Sequence, residues 1–195
     1  CKETGAALVH ISTDYVFKGD SETPRVEDDE LGPISVYGKS KLKGEEAILE
    51  ILDKYFIIRT AWLYGRNGGN FPRTMLELAK EHDALTVVYD EVGTPTYTYD
   101  LAKAISELIK TDYYGIYHIT NSDSCSWFEF AKLIFEIANV DVKVTPVTAK
   151  EFARPAPRPS YSVLDNKKWV ENGFKPLRSY KKAIKAYVEI LNGDE

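Results

Sequence analysis

Cysteine is nearly absent: Cys1 and Cys125 are the only two, far apart in a chain of 195 residues. That spacing excludes a disulfide framework and a paired-thiolate metal site, and a reduced, cytoplasmic setting is the expectation. Histidine is almost as scarce. His10, His82 and His118 are scattered, and His10 and His118 fall inside strand-like runs, where a hydrogen-bonded structural role is the expectation. No metal is therefore expected. Long apolar runs are also missing. The longest are strand-sized, well short of the roughly 20 residues of a membrane-spanning helix, and no charged-then-apolar leader opens the chain. Lys and Arg number 25 against 30 Asp and Glu, a formal charge of -5 with no basic face, so neither a membrane nor a nucleic acid is expected as a partner. Finally, no G-x-G-x-x-G turn follows an early strand. Gly65, Gly68 and Gly69 do follow one, but no acidic residue closes a second strand about 20 residues later, as a dinucleotide fingerprint requires.

What is present is enough to bury a core, with 44% hydrophobic and 28% charged residues. "ALVHIS" (7–12) reads as a buried strand and is followed by the polar "TDYVFKGD" and a charged loop to about Gly32. A long helix is expected over 35–55, with Leu42, Ile48, Leu49 and Leu52 inward and carboxylates and lysines on the opposite face. "YFIIRTAWLYG" (55–65) is a strand, 71–82 a helix and "LTVVYDE" a strand from Leu85, while "GTPTYT" reads as a loop. Thr98 or Asp100 caps a helix ending near Thr111, and "GIYHIT" is a strand. Ser126 and Glu129 form a capping box opening a helix through Ala138, and "VKVTPV" is a short strand. The proline-rich segment 153–162 excludes regular helix. Two helices close the chain, near 166–172 before Gly173 and over 179–191 before Gly193.

Strand–helix alternation of this kind predicts an α/β fold with parallel strands. No internal repeat interrupts it.

Tyr37 and Lys41 stand four apart near a helix start, so they share one face. A phenol normally loses its proton near pH ~10, and a neighbouring ammonium favours the phenolate, so Tyr-x-x-x-Lys makes a sensible proton donor with its tuner. A solvated helix face explains the same spacing. What favours chemistry is the context. Ser12, Thr13, Asp14 and Tyr15 end a strand about two dozen residues earlier, and open α/β sheets bind ligands beyond the carboxyl ends of their strands.

A strand-end hydroxyl followed by Tyr-x-x-x-Lys resembles the catalytic arrangement of the extended short-chain dehydrogenase/reductase superfamily. "HISTDYVFKGD", "YGKSKLKGEE", "IIRTAWLYG", "GNFPRTM", "GTPTYTYDLA" and "RPSYSVLDN" are similar, in order, to successive blocks of the dTDP-4-dehydrorhamnose reductase family. Lys18 and Glu91 depart from that pattern, which usually has Asp or Gln and Gln there. The resemblance implies the C-terminal part of a Rossmann-like doubly wound parallel sheet over residues 1–65. It implies a smaller α/β substrate-binding lobe over most of 66–195, with some elements returning to the sheet. It implies Tyr37 as general acid, Lys41 as its tuner and nicotinamide-ribose ligand, and Thr13 as the third catalytic group. Thr13, Asp14, Trp62, Asn70 and Arg158 would bind substrate, Arg158 through a diphosphate. Phe71 could touch the nucleotide or belong to the core. Thr94, Pro95 and Thr96 resemble a substrate-side segment, though a plain turn explains them equally. Trp127 and Phe128 read as lobe packing, and Trp169 as packing between the last helices.

The implied cofactor is NADPH or NADH, the implied substrate a dTDP-sugar, and a homodimer is among the assemblies the resemblance allows. It further implies glycine-rich βαβ units ahead of Cys1, so that these residues alone are expected to bind NADPH poorly. Two alternatives share the scaffold: a sugar-nucleotide epimerase or dehydratase, and a non-catalytic regulatory subunit resembling the methionine adenosyltransferase beta subunit.

Overall fold

A computed structural model describes residues 1–191 and 193. Its elements are β1 (Leu8–Thr13), α1 (Val36–Ile51), β2 (Tyr55–Thr60), β3 (Leu63–Tyr64), α2 (Phe71–Leu78), β4 (Ala84–Val88), β5 (Val92–Gly93), β6 (Thr96–Tyr97) and α3 (Thr98–Leu108). Then follow β7 (Gly115–His118), β8 (Cys125–Ser126), α4 (Trp127–Ala138), β9 (Lys143–Val147), α5 (Ala149–Phe152), α6 (Lys167–Glu171) and α7 (Tyr180–Leu191). β1, β2 and β7 form a parallel sheet in that order, with Thr13 opposite Thr60 and Arg59 opposite both Ser12 and His118. This is an α/β fold built on parallel pairing.

Alternation along β2 sends successive side chains to opposite faces. Phe56 and Ile58 join Leu101, Ala104 and Leu108 of α3, Tyr117 of β7 and Trp169 of α6 in one buried cluster. Ile57 and Arg59 are equally buried, and Arg59 meets Glu45 of α1, so helices cover both faces of the sheet. Beyond the sheet, β4 pairs in parallel with β9. Val87 of β4 packs on Ala131 and Phe135 of α4, with Phe71, Met75 and Leu76 of α2 against them. The opposite side of α4, through Phe130 and Ile134, packs on Ala183, Ile184, Tyr187 and Val188 of α7. Helical spacing of the apolar residues in α4 and α7 produces these stripes.

Several expectations are corrected. α1 ends at Ile51, because Leu52 turns to extended backbone before β2. Its inward stripe is Leu42, Glu45 and Ile48, which leaves Leu49 45% exposed rather than inward. The "GTPTYT" stretch is no plain loop: Thr96 and Tyr97 pair in parallel with β3 as a two-residue strand, too short to leave a periodic signal. Neither Thr98 nor Asp100 caps α3. Tyr97 holds that position without a side-chain bond, and Asp100 instead accepts from Asn121 at 2.9 Å and from Arg178 at 2.8 and 3.0 Å. Trp169 packs on the sheet-side cluster as well as on Phe174 of the link between α6 and α7, and its Nε1 donates to Lys175 O at 2.8 Å. The Ser126–Glu129 capping box is present in both directions. α5, with its own box from Thr148 and Glu151, immediately precedes the proline-rich segment.

The scarce residues also take defined places. His118 is fully buried; its Nδ1 lies 3.0 Å from Arg25 O while Nε2 has no partner, so it is only half satisfied. Burial, with the Arg59 charge adding to it, pushes its pKa down to about 3. Both cysteines are free. Among the described residues no cluster of three or more His, Cys, Asp or Glu could hold a metal ion, and no helix is long and apolar enough to cross a membrane.

Candidate active site

β1 delivers Ser12 and Thr13 to its carboxyl end, where the chain makes one tight turn over Asp14–Val16. Thr13 caps that turn. Its Oγ1 accepts from Tyr15 N at 3.2 Å and donates to Asp14 Oδ1 at 2.8 Å. Asp14 is 3% exposed, and its Oδ2 has no partner in hydrogen-bonding geometry. Burial raises its pKa from 3.8 to about 6, although the nearby Ser162 hydroxyl and the bond from Thr13 oppose the rise.

Ser35 opens α1 by accepting from Gly38 N at 3.0 Å, which sets Tyr37 in the first turn. Gly38 is there for space. A Cβ at that position would overlap Tyr15 O, so only glycine lets the helix start lie against the turn after β1. The close approach brings the Tyr37 and Tyr15 rings edge to face with centroids 5.7 Å apart. Tyr37 itself remains 54% exposed. One turn on, Lys41 Nζ donates to Ile11 O at 2.5 Å and lies 3.5 Å from His10 Nε2. Burial, then the Lys41 charge, lowers the pKa of His10.

After β2 the chain bends at Trp62, whose φ of 46° lies in the left-handed region. Its indole stacks on Trp127 with ring centroids 3.4 Å apart and planes 5° from parallel. Gly93 makes room for it, since a Cβ there would overlap the Trp62 ring.

These pieces enclose a cleft of about 500 Å³ lined by Thr13, Asp14, Tyr37, Lys41, Trp62 and Arg158, along with Tyr15, Thr60 and Trp127. Six of the seven expected side chains thus meet in one place. Asn70 does not line it. Its Oδ1 caps α2 by accepting from Arg73 N at 3.1 Å, and its amide donates to Gly65 O at 2.8 Å and to Tyr187 at 3.1 Å. Phe71 packs against Trp127 and Phe130 as core. Phe128 packs beside Val87, as expected, but Trp127 both packs and lines the cleft. Thr94 and Thr96 are buried.

Thr60 was not singled out from the sequence, Trp127 was read as packing alone, and Tyr15 was noted only as part of the strand end. Trp127 and Thr60 carry no local signal beyond their positions at a helix start and a strand end. Two buried polar atoms of lining residues, Asp14 Oδ2 and Thr60 Oγ1, have no hydrogen-bond partner. Such atoms suit a ligand that brings donors of its own.

The sequence pattern described as the RmlD substrate binding domain matches residues 1–192. The chain belongs to the RmlD substrate-binding domain family. Among curated relatives, the spore coat polysaccharide biosynthesis protein SpsK of Bacillus subtilis is 46% identical over 185 residues, which cover 95% of this chain and 65% of SpsK. The dTDP-4-dehydrorhamnose reductase of Clostridium acetobutylicum superposes with a TM-score of 0.95 at 48% identity, covering 97% of this chain and 68% of that one. The reductase of Bacillus anthracis, solved in complex with NADP, gives a TM-score of 0.93 at 47% identity, with coverage of 95% and 66%. The chain therefore spans about two-thirds of the length of its RmlD-family relatives.

Proposed function

We propose that this chain supplies the substrate cleft and the proton donor of a reductase that converts dTDP-4-dehydro-L-rhamnose to dTDP-L-rhamnose at the expense of NADPH or NADH. The observation carrying the reading is the convergence of Thr13, Tyr37 and Lys41 with Asp14, Trp62 and Arg158 on one cleft at the carboxyl end of a parallel strand. Three relatives at 44–48% identity that are named dTDP-4-dehydrorhamnose reductase, one of them solved with NADP, support it.

The residues present fit the nicotinamide end of the cofactor: Lys41 offers an ammonium to a ribose hydroxyl beside an exposed phenol. When bound, the reduced nicotinamide provides the hydride taken up by C4 of the sugar. Tyr37 holds the matching proton and gives it to the C4 oxygen, so that the ketone becomes a secondary alcohol. Lys41 stabilises the phenolate left behind. Thr13 turns its hydroxyl from Asp14 to the ketone oxygen. Asp14 accepts a hydrogen bond from a sugar hydroxyl, and Trp62 lines the sugar. Arg158 pairs with the diphosphate, a geometry its guanidinium suits. Residues 1–65 serve mainly the catalytic half and most of 66–195 the substrate lobe, in a cytoplasmic enzyme for which a homodimer is a compatible assembly.

Net oxidation of NADPH on addition of dTDP-4-dehydro-L-rhamnose, one equivalent per sugar reduced, is the expected result. Interconversion of sugar isomers without net oxidation would assign the cleft to an epimerase instead. Partner capture without any turnover would favour a regulatory subunit.

A further inference from the structure

The seam between α1 and the sheet carries a buried ion pair that the proposed chemistry does not use. Glu45 lies one turn beyond Lys41 and two beyond Tyr37 on the same face of α1, and both Glu45 and Arg59 are 1% exposed. Arg59 Nε donates to the two Glu45 oxygens at 3.1 and 3.2 Å, and its terminal nitrogen donates to Oε2 at 2.7 Å. Ser12 Oγ donates to the same carboxylate. The other Arg59 nitrogen donates to Glu27 O at 3.0 Å, and the Phe17 ring centre lies 5.2 Å from the guanidinium.

Packing alone does not explain such an arrangement. Well-packed apolar side chains of similar volume would hold a helix on a sheet at least as firmly as a desolvated ion pair. A bidentate, planar pair adds direction. A slip of α1 by one residue would shift Glu45 about 1.5 Å along the axis and turn it about 100°, breaking every one of these bonds. The partners also sit at informative places. Ser12, itself at the edge of the cleft, and Arg59 are register neighbours immediately before the cleft-lining Thr13 and Thr60.

We propose that Glu45, held by Arg59 and Ser12, is a positioning residue that fixes the register of α1 so that Tyr37 and Lys41 face Thr13. The idea rests on the reductase reading for its effect on rate, but not for its effect on the Tyr37 environment. Misplacement of a reacting group by about 1 Å can lower a rate about 100-fold. In the enzyme carrying the full chain, E45Q/R59M removes both charges together. It should lower kcat about 10- to 100-fold, with KM for the dTDP-sugar within about threefold of wild type and the fold retained. A folded double variant with wild-type kcat would overturn the proposal.

S12A leaves the ion pair in place and serves if the double variant does not fold, read together with the spectrum of Tyr37 because Ser12 also borders the cleft. Its kcat should fall severalfold, and an unchanged kcat would refute the role of the tether. A purely structural role would leave the Tyr37 phenol alone. Fluorine NMR of 3-fluorotyrosine placed at position 37 should show its resonance shifted in S12A and E45Q/R59M but not in a core variant such as I134V. If wild-type enzyme shows no ketone reduction, the reductase reading fails. The fluorine spectrum still judges Glu45, and an unshifted resonance overturns its role.

Discussion

Asp14 and His118 pull the pH dependence of stability in opposite directions. The carboxyl of Asp14 is raised from 3.8 to about 6 by burial, so the folded chain keeps a proton that the unfolded chain has released. Its contribution therefore declines as pH rises from about 4 to 6, by as much as roughly 3 kcal/mol for a shift of about two units. His118 is lowered from 6.5 to about 3, so the unfolded chain binds a proton that the fold refuses, and stability declines as pH falls through the same window. The two slopes offset each other in the wild type. D14N should uncover a stability that rises between pH 4 and 6, and H118Q one that falls. Denaturant titrations at three pH values check this, and parallel profiles for all three proteins would contradict it. The Tyr37–Lys41 pair and the Thr13–Asp14 strand end were readable in the sequence because their spacing and position carry the signal. Asn70 lies outside the cleft, and its type gave no warning, because a polar residue after a glycine-containing loop caps a helix as readily as it touches a ligand. Glu45 was misplaced on the solvated face, because nothing local reveals that Arg59, fourteen residues on, neutralises it.

At the scale of elements, α1 and the turn after β1 are fitted to each other through Gly38. G38A should cost about 1–3 kcal/mol, since backbone rather than a flexible side chain blocks the added methyl. It should also lower activity, because the same displacement moves Tyr37; thermal melts and kcat together check both parts. Capping shows on α4. Ser126 accepts from Glu129 N at 3.2 Å, and S126A should cost about 1 kcal/mol in a denaturant titration. Elements of this length were legible, since α4 has a box at its start and a clean apolar stripe. The two-residue strands β3, β5, β6 and β8 were not. Each is defined by a partner distant in sequence, with Thr96 meeting Leu63 and Gly93 meeting Cys125. The over-long reading of α1 has a related cause: Leu52 continues the apolar run yet already turns towards β2.

The whole molecule joins a three-stranded parallel sheet to a second layer of α2, α4, α7 and the β4–β9 pair, and the cleft's lining comes from both. Thr13, Tyr37 and Lys41 belong to the sheet side, while Trp127 opens α4. Binding should reflect what this chain holds. It offers an arginine and two indoles to a sugar nucleotide but no glycine-rich turn for a dinucleotide pyrophosphate. Calorimetry on the 195-residue chain should therefore detect dTDP more tightly than NADPH, and the reverse order would contradict the assignment of the cleft. The most direct test of the central claim is the effect of removing one oxygen atom. In the enzyme carrying this chain, Y37F should retain dTDP-sugar binding while kcat for NADPH oxidation falls by about 10² to 10⁴, the usual worth of a placed general acid. A Y37F enzyme that is folded, binds substrate and turns over at the wild-type rate would show that the proton comes from elsewhere.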